Sequence, residues 1–284
     1  MKMKTNSLAK QRLEKFLYNR LAVVGFIMMM LIILACVFAP ILTPYDPAYI
    51  DVSLKELKPS AEHLLGTDRL GRDILARLLY GGRISIWIGL ASAFGASAIG
   101  VVLGCISGYF GGKLDQVLLY ISEIFMTFPR YLLVLICVGL IGQSMNNIII
   151  IFILTGWSGT MRIVRGKILS LKQEAFVESC LANGVSGWSI MFRHLLPNTL
   201  GPVIVDMTLS VAGCILAEAG LSFLGMGVAA DVPTWGNIIN AAKRLDIIQN
   251  MPLLWITPGL AISLFVLSIN FFGDGLRDVF DPAQ

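Results

Sequence analysis

The residue types that most often carry out chemistry are few in this chain and do not cluster. The two histidines, His63 and His194, are far apart in the sequence, and the five cysteines form no CxxC pair and no metal-ligand spacing. No stretch matches the G-x-x-x-x-G-K-[ST] phosphate loop, and the nearest glycine cluster, at residues 108–112, lacks the Lys-Ser pair. The pattern therefore predicts no metal site, no disulfide framework and no nucleotide bound by this chain itself.

Four charged residues lie inside long apolar stretches. They are Glu123, Arg130, Asp206 and Glu218. A charged side chain facing lipid at the bilayer centre costs about 2.5–3.5 kcal/mol, so we expect each to face other helices, a partner or water. Glu123 precedes Arg130 by two helical turns, which predicts a shared helix face, with Pro129 loosening the helix there. Two roles stay open for Arg130: an ion pair with Asp206, or contact with a passing carboxylate. For Glu218 the expectation is a structural hydrogen bond within the bundle.

The composition shows why such charges are exceptional. Hydrophobic residues make up 56% of the 284 residues and charged residues only 14%, with a mean hydropathy of +0.77. Soluble domains carry about a quarter charged residues, which argues against a cytosolic globular enzyme. The apolar stretches are long enough to cross a bilayer, so the predicted fold is an all-α membrane protein with six transmembrane helices. The stretches lie at about residues 21–42, 84–110, 115–142, 145–162, 198–226 and 253–273.

The positive charges predict the orientation of these spans. If the N-terminus is cytoplasmic, 13 of the 22 lysine and arginine residues lie on the inner side. The first span is too long for a signal peptide and lacks a small-residue cleavage site, so we expect it to be retained. We therefore predict that both termini are inside, and we attribute the net charge of +4 to topology rather than to nucleic-acid binding. The N-terminal basic residues are Lys2, Lys4, Lys10, Arg12, Lys15 and Arg20.

An amphipathic pattern precedes the second span on the outer side. Five apolar residues fall on one helical face there, and Thr67 or Asp68 is placed to cap a helix. The sequence predicts a short amphipathic helix against the membrane or the bundle. The apolar residues are Leu70, Ile74, Leu75, Leu78 and Leu79.

The longest inner loop, residues 162–197, carries a second amphipathic pattern. Ser170 with Gln173 predicts a capped helix start, and Gly184 is a natural helix terminator. A second short helix is predicted to run on until Pro197 stops it. Two short helices hinged at a glycine suit either a docking element for a cytoplasmic protein or a helix pair on the membrane surface.

This loop also carries a family resemblance. It resembles the EAA-loop signature of binding-protein-dependent ABC importer permeases in Glu178-Ser179-Cys180, in Gly184 and in Leu196-Pro197. Serine and cysteine replace the two alanines of that signature, and His194 stands at its usual isoleucine position. Further stretches resemble the C-type subunit of the dipeptide, oligopeptide and nickel branch, so that the similarity covers nearly the whole chain. They lie at residues 66–73 (GTDRLGRD), 218–225 (EAGLSFLG), 233–236 (PTWG), 258–260 (PGL) and 270–278 (NFFGDGLRD).

The resemblance implies a fold and a division of labour. It implies the type I ABC importer permease fold, with an N-terminal module at residues 1–83 and a five-helix core at residues 84–284. It further implies a homologous B-type permease, two cytoplasmic ATPase subunits that bind the ATP, and an extracytoplasmic substrate-binding protein. This chain would then form half of a path for di- or oligopeptides across a bacterial or archaeal cytoplasmic membrane, without a cofactor or catalytic residues. Nickel, metallophore and glutathione-like substrates stay open.

The resemblance also assigns a role to the inner loop, which would couple ATPase motion to the spans. Three apolar anchors, one charged contact, the hinge glycine and the closing Leu-Pro pair make up the predicted coupling residues. In that order they are Phe176, Val177, Trp188, Glu178, Gly184, Leu196 and Pro197.

Three other classes of membrane protein can be compared with this reading. An intramembrane enzyme needs paired functional groups, yet the spans hold no histidine and Asp206 has no second aspartate at membrane depth. An ion channel needs a filter-like or pore-lining repeat, which the sequence lacks. The alternative of a self-contained secondary transporter stays open, although the inner loop would then have no function.

Overall fold

The computed structural model describes residues 8–280, without the side chains of residues 8, 9 and 11–13, so Lys2, Lys4 and the Arg12 side chain lie outside the described residues. Within this range the chain is helical and forms no strand. Five helices are long and apolar enough to cross a membrane, and a bent pair adds a sixth span if it is counted as one. The prediction of an all-α membrane protein with six spans is confirmed, with the third span broken.

The helices follow one another in this order: α1 (Leu8–Tyr18), α2 (Arg20–Val37), α3 (Ala39–Leu42), α4 (Ile74–Phe110), α5 (Gly112–Thr127), α6 (Arg130–Ile141), α7 (Met145–Leu171), α8 (Ala175–Ala182), α9 (Gly187–Ser189), α10 (Leu196–Phe223), α11 (Trp235–Ala241), α12 (Leu245–Asn250) and α13 (Leu253–Phe280). A 3₁₀ turn covers Val52–Leu54 and a π-helical turn covers Ile190–Leu195. The predicted division between residues 83 and 84 falls inside α4 and stays a prediction.

The two ends of the described chain meet at one end of the bundle. Asn19 caps α2 by accepting a hydrogen bond from the Ala22 amide, and its amide group donates to the carboxylate of Asp278 at 2.8 Å. Phe16 packs edge-on against Phe272 of α13. This arrangement agrees with an even number of spans.

The centre of the bundle is the close contact between α4 and α7. Gly100, Gly104 and Gly108 recur every fourth residue on α4, and a Cβ at any of them would lie within 3.0 Å of a backbone oxygen of α7. Small residues at this spacing let two helix backbones approach closely inside a membrane. Helices α5, α6 and α10 pack against this pair.

The predicted amphipathic helix before the second span is wrong. Asp68 accepts hydrogen bonds from the Leu70 and Arg72 amides, and Gly71 has a φ of +76°, so this stretch forms a turn. The helix begins only at Ile74, where Asp73 caps the Ala76 amide at 2.7 Å, and it continues unbroken for 37 residues as the second span. The cap therefore comes from Asp73 and not from Thr67 or Asp68.

The predicted boundaries of the inner loop also need correction. Helix α7 extends to Leu171, and the Ser170 carbonyl accepts from the Gln173 amide in the turn that follows, so no helix starts at Ser170. Nor does Pro197 stop the second helix, because it lies in the first turn of α10, where a missing N–H is tolerated. The π-helical turn joins α9 to α10 without a break.

Glu123 and Arg130 do not share a helix face. Helix α5 ends at Thr127 and α6 begins at Arg130, with an 88° bend between them. Phe128, which precedes Pro129, takes the extended conformation with ψ of 136° that a following proline favours. Pro129 thus breaks the span rather than loosening it.

Candidate functional site

The break in the third span opens a cavity of about 460 Å³. Its walls come from the end of α5, the start of α6, the middle of α7 and one face of α10. Arg130 and Asp206 are the charged residues that line it. Non-helical backbone at membrane depth is tolerated where it is buried or lines a water-filled cavity, which is the position of Phe128 and Pro129 here.

The guanidinium of Arg130 lies among neutral groups. Its Nη2 is 3.9 Å from the Cys214 sulfur, and its central carbon lies 5.8 Å from the centre of the Phe152 ring. Among residues 8–280 no carboxylate oxygen comes within 4 Å of it. The ion pair with Asp206 that the sequence allowed is therefore not formed, although both residues face one cavity.

The carboxylate of Asp206 is held by a single neutral donor. The Thr160 hydroxyl donates to Oδ2 at 2.6 Å, and the Asp206 side chain is half-buried. Ser158, two residues before Thr160 on α7, also lines the cavity and is only 4% exposed. Its hydroxyl is buried without a hydrogen-bond partner in the part of the chain that the structure describes.

Glu218 occupies a different environment, which we call the hydroxyl hub: Glu218, Ser85, Ser222 and Thr234. The fully buried carboxylate accepts hydrogen bonds from Ser222 at 2.7 Å, Thr234 at 2.9 Å and Ser85 at 3.2 Å. Because Ser85 lies on α4 and Thr234 caps α11, the hub ties α10 to two other helices. This is the structural hydrogen bonding expected for Glu218.

Glu123 lies outside the cavity lining, on a more exposed side of α5. Its Oε1 pairs with Nη2 of Arg162 at 3.5 Å, and Arg162 also donates to the Ser122 hydroxyl at 3.0 Å. The side chain of Glu123 is 63% exposed. Its charge is therefore balanced within the chain, at the side of the bundle where α5 meets α7.

In the inner segment (residues 172–197), α8 presents two different faces. Val177 is 1% exposed and packs with Ile168, Ile190 and Leu195 in one buried cluster. It cannot be a surface anchor for a partner, because it is already covered by this chain. Phe176, in contrast, is 39% exposed.

The remaining predicted coupling residues lie at or near the surface of this segment. Trp188 is 57% exposed and stacks on Phe192, with ring centres 5.9 Å apart. Glu178 and Pro197 are exposed and Leu196 is half-buried. Like Phe176, the three exposed residues Trp188, Glu178 and Pro197 are left uncovered by the described part of the chain.

The hinge glycine is placed as the sequence predicted. Gly184 has a φ of +69°, and its amide donates to the Leu181 carbonyl while the Val185 amide donates to the Cys180 carbonyl. This pair of hydrogen bonds is the Schellman motif, which ends α8 and turns the chain toward α9.

The sequence reasoning missed the wall of the cavity that α7 supplies. Gly156, Ser158, Gly159 and Thr160 all face the cavity. A Cβ at Gly156 would lie 3.3 Å from Nη2 of Arg130, so this glycine lets the guanidinium lie against the helix. The available signal was a run of small and polar residues, GWSGT, inside an apolar span.

Comparisons with known proteins agree with this architecture. Residues 100–284 match the family of binding-protein-dependent transport system inner membrane components, and residues 7–59 match the N-terminal TM domain of oligopeptide transport permease C. The chain is 40% identical to the dipeptide transport system permease protein DppC of Alkalihalophilus pseudofirmus, over 93% of this chain and 86% of that protein. It is 39% identical to the oligopeptide transport system permease protein OppC of Bacillus subtilis, over 98% of this chain and 91% of that protein. The chain belongs to the family of binding-protein-dependent transport system inner membrane components.

Proposed function

We propose that this chain is the C-type permease subunit of an ATP-driven importer that takes up di- or oligopeptides. A homologous B-type permease would form the other half of the path, and an extracytoplasmic binding protein would deliver the peptide. Two cytoplasmic ATPase subunits would bind the ATP, so the chain itself would need no cofactor. The family assignment and the names of the dipeptide and oligopeptide relatives support this proposal.

The observation that carries the proposal is the construction of the inner segment. Val177 fixes α8 to the bundle, while Phe176 and Trp188 stay exposed beside it. A short helix seated in a groove of an ATPase can transmit a push, because packed elements move as units. The inner segment continues through the π-helical turn into α10, which carries Asp206. Motion at the cytoplasmic end would thereby reach the cavity.

The orientation follows from the same assignment. The inner segment and both termini would lie in the cytoplasm, and the loop at residues 44–73 would lie outside, in a bacterial or archaeal cytoplasmic membrane. The net positive charge of the N-terminal segment supports this orientation. In this frame the cavity at the broken third span lies on the substrate path, and the hydroxyl hub holds the outer half of the bundle.

A co-purification experiment followed by reconstitution tests the proposal. The tagged chain is purified in mild detergent, and mass spectrometry identifies the bound proteins. We expect a second permease and one or two ATPases, and peptide uptake into liposomes only when ATP and the binding protein are present. A chain that purifies alone and transports without ATP would show a self-contained transporter instead. Uptake of nickel or a glutathione-like molecule but not peptide would replace the proposed substrate.

A further inference from the structure

We propose that the cavity at the broken third span binds a peptide by its two charged ends, the C-terminal carboxylate at Arg130 and the N-terminal ammonium at Asp206. This inference rests on the proposed peptide import. It adds a substrate site within the membrane domain and a recognition rule, since the peptide would be held by its termini and not by its side chains.

The state of Arg130 is the first reason. Its guanidinium carries a permanent charge with five donors in a planar fork that matches a carboxylate. Its neighbours include the Cys214 thiol and the Phe152 ring, and it lies beside Gly156, where an added Cβ would be 3.3 Å from Nη2; none of these groups is an anion. A charge in a spanning segment needs water, a counter-ion or a ligand.

The backbone adds positive charge at the same place. Arg130 is the first residue of α6, a helix of 12 residues, and the residue before it, Pro129, provides no side-chain cap. The first amides of a helix carry a partial positive charge, and broken spans in transporters direct such ends toward anionic groups. Because Pro129 and Arg130 both line the cavity, the helix end and the guanidinium favour an anion there.

Asp206 offers the opposite charge in the same cavity. A carboxylate has about four lone-pair sites, and a neutral hydroxyl from Thr160 uses one of them. The hydroxyls of Ser92, Ser97 and Ser158 are buried without a partner within the described chain, and of these three only Ser158 lines this cavity, so it is a further polar contact for a bound molecule. A zwitterion satisfies both charges together, which neither a simple anion nor a simple cation does.

The volume and the rest of the lining suit a small peptide with variable side chains. About 460 Å³ lies within the range of roughly 300–1,000 Å³ typical of small-molecule sites. No atom lies within 4 Å of a Cβ placed at Gly159, so that wall is open. Phe125 and Met126 line the cavity as well, and flexible or aromatic apolar groups accept many side chains. In this site the charges of Arg130 and Asp206 would recognise the peptide termini, while the apolar lining would accept different side chains.

The test measures each protein variant with each of three peptides that differ in their terminal charges. The complete complex with its ATPases and binding protein is reconstituted, and KM and kcat for uptake are measured for trialanine, trialanine amide and N-acetyl-trialanine. Direct binding of radiolabelled forms of the three peptides to the complex of permeases and ATPases is measured without the binding protein, so that the preferences of the binding protein do not enter. We expect the wild type to bind trialanine about tenfold more tightly than either blocked form, as for loss of one charged hydrogen bond.

Arg130→Gln is expected to abolish the preference for trialanine over its amide while keeping the preference over the N-acetyl form. Asp206→Asn is expected to do the reverse, and Arg130→Lys to restore part of the carboxylate preference. Arg20→Gln is the matched control, because it removes the same charge from an exposed position at the start of α2. It is expected to leave all three affinities unchanged.

Two results would overturn the inference while leaving peptide import intact. In one, both variants take up and bind all three peptides as the wild type does. In the other, each variant weakens the binding of all three peptides equally, which would show that the two charges have a structural role. A wild-type complex that imports no peptide at all would overturn the proposed function and this inference with it.

Discussion

The hydroxyl hub and the cavity at the broken span each contain a carboxylate from α10, but the two carboxylates have opposite surroundings. Glu218 and Asp206 are separated on α10 by 12 residues, or about 18 Å of helix. Glu218 is fully buried and accepts three hydrogen bonds, whereas Asp206 is half-buried and accepts one. Arg130, beside the same cavity, pairs with no carboxylate among residues 8–280.

This difference separates structural polar groups from groups that are available to a ligand. A buried polar group that is fully satisfied fixes its neighbours, and removing it leaves their donors unpaired. A charge that lacks a partner inside a spanning segment is costly unless water or a ligand meets it. The sequence marks both kinds as charges in apolar stretches, but only the three-dimensional arrangement distinguishes them.

The largest expected effect is on the stability of the hub. Glu218→Leu would leave the hydroxyls of Ser85, Ser222 and Thr234 without their acceptor, at about 1–3 kcal/mol for each unsatisfied group. We expect little folded protein in detergent size-exclusion chromatography and a thermal unfolding midpoint several degrees lower. Asp206→Asn is the control from the cavity and should unfold like the wild type. Equal stability of the two variants would remove the distinction between hub and cavity.

A steric variant tests the cavity without touching a charge. A Cβ at Gly159 or at Gly166 meets no atom within 4 Å, and both glycines lie on α7, but only Gly159 lines the cavity. We expect Gly159→Leu to lower peptide uptake about tenfold or more by filling a ligand-sized space, while Gly166→Leu transports normally. Because leucine favours helix more than glycine does, neither variant should lose stability. Equal uptake by the two variants would contradict a path through this cavity.

A smaller effect is expected at the hinge of the inner segment, which continues through the π-helical turn into α10 and its cavity residue Asp206. Gly184→Leu forces a branched side chain into the left-handed region, at about 1–2 kcal/mol, without a steric clash beyond the backbone. We expect the variant chain to insert and the ATPase subunits of its complex to hydrolyse ATP, while uptake falls several-fold. Gly184→Asn, which tolerates that conformation, should retain most of the coupling. Unimpaired uptake by the leucine variant would disprove the coupling role of the hinge.

Features that depend on local composition could be predicted from the sequence. The spans follow from apolar length, and the positive φ of Gly184 follows from a glycine placed after an amphipathic run. Glu218 could be assigned to hydrogen bonds within the bundle because a buried charge must find partners. The partners themselves could not be predicted from the sequence, since Ser85 is 133 residues away from Glu218 in the chain.

The positions at which helices begin, bend and end were predicted less well from the sequence. Two helical turns separate Glu123 from Arg130 only if the helix is continuous, and the 88° bend at Pro129 removes that condition. A proline inside an apolar stretch can either kink a helix or break it, and the packing around the proline decides between the two. The same reasoning explains the helix start at Ile74, because Asp68 satisfies amides of its own turn and leaves the cap to Asp73.

The central claim is that the cavity is open to water and substrate while the polar core around the hub is closed. Cysteine accessibility measures this directly, in the complex carrying a chain whose five cysteines have been replaced. Gly159→Cys places a thiol in the cavity, and Ser92→Cys places one at a fully buried serine on α4 that lies outside the cavity lining, two turns from the hub residue Ser85. A charged thiol reagent reacts with the thiolate, which forms in water and not in lipid or a packed core. We predict that Gly159→Cys is labelled and is protected by peptide, while Ser92→Cys is not labelled. An unlabelled Gly159→Cys, or equal labelling of both, would contradict the account.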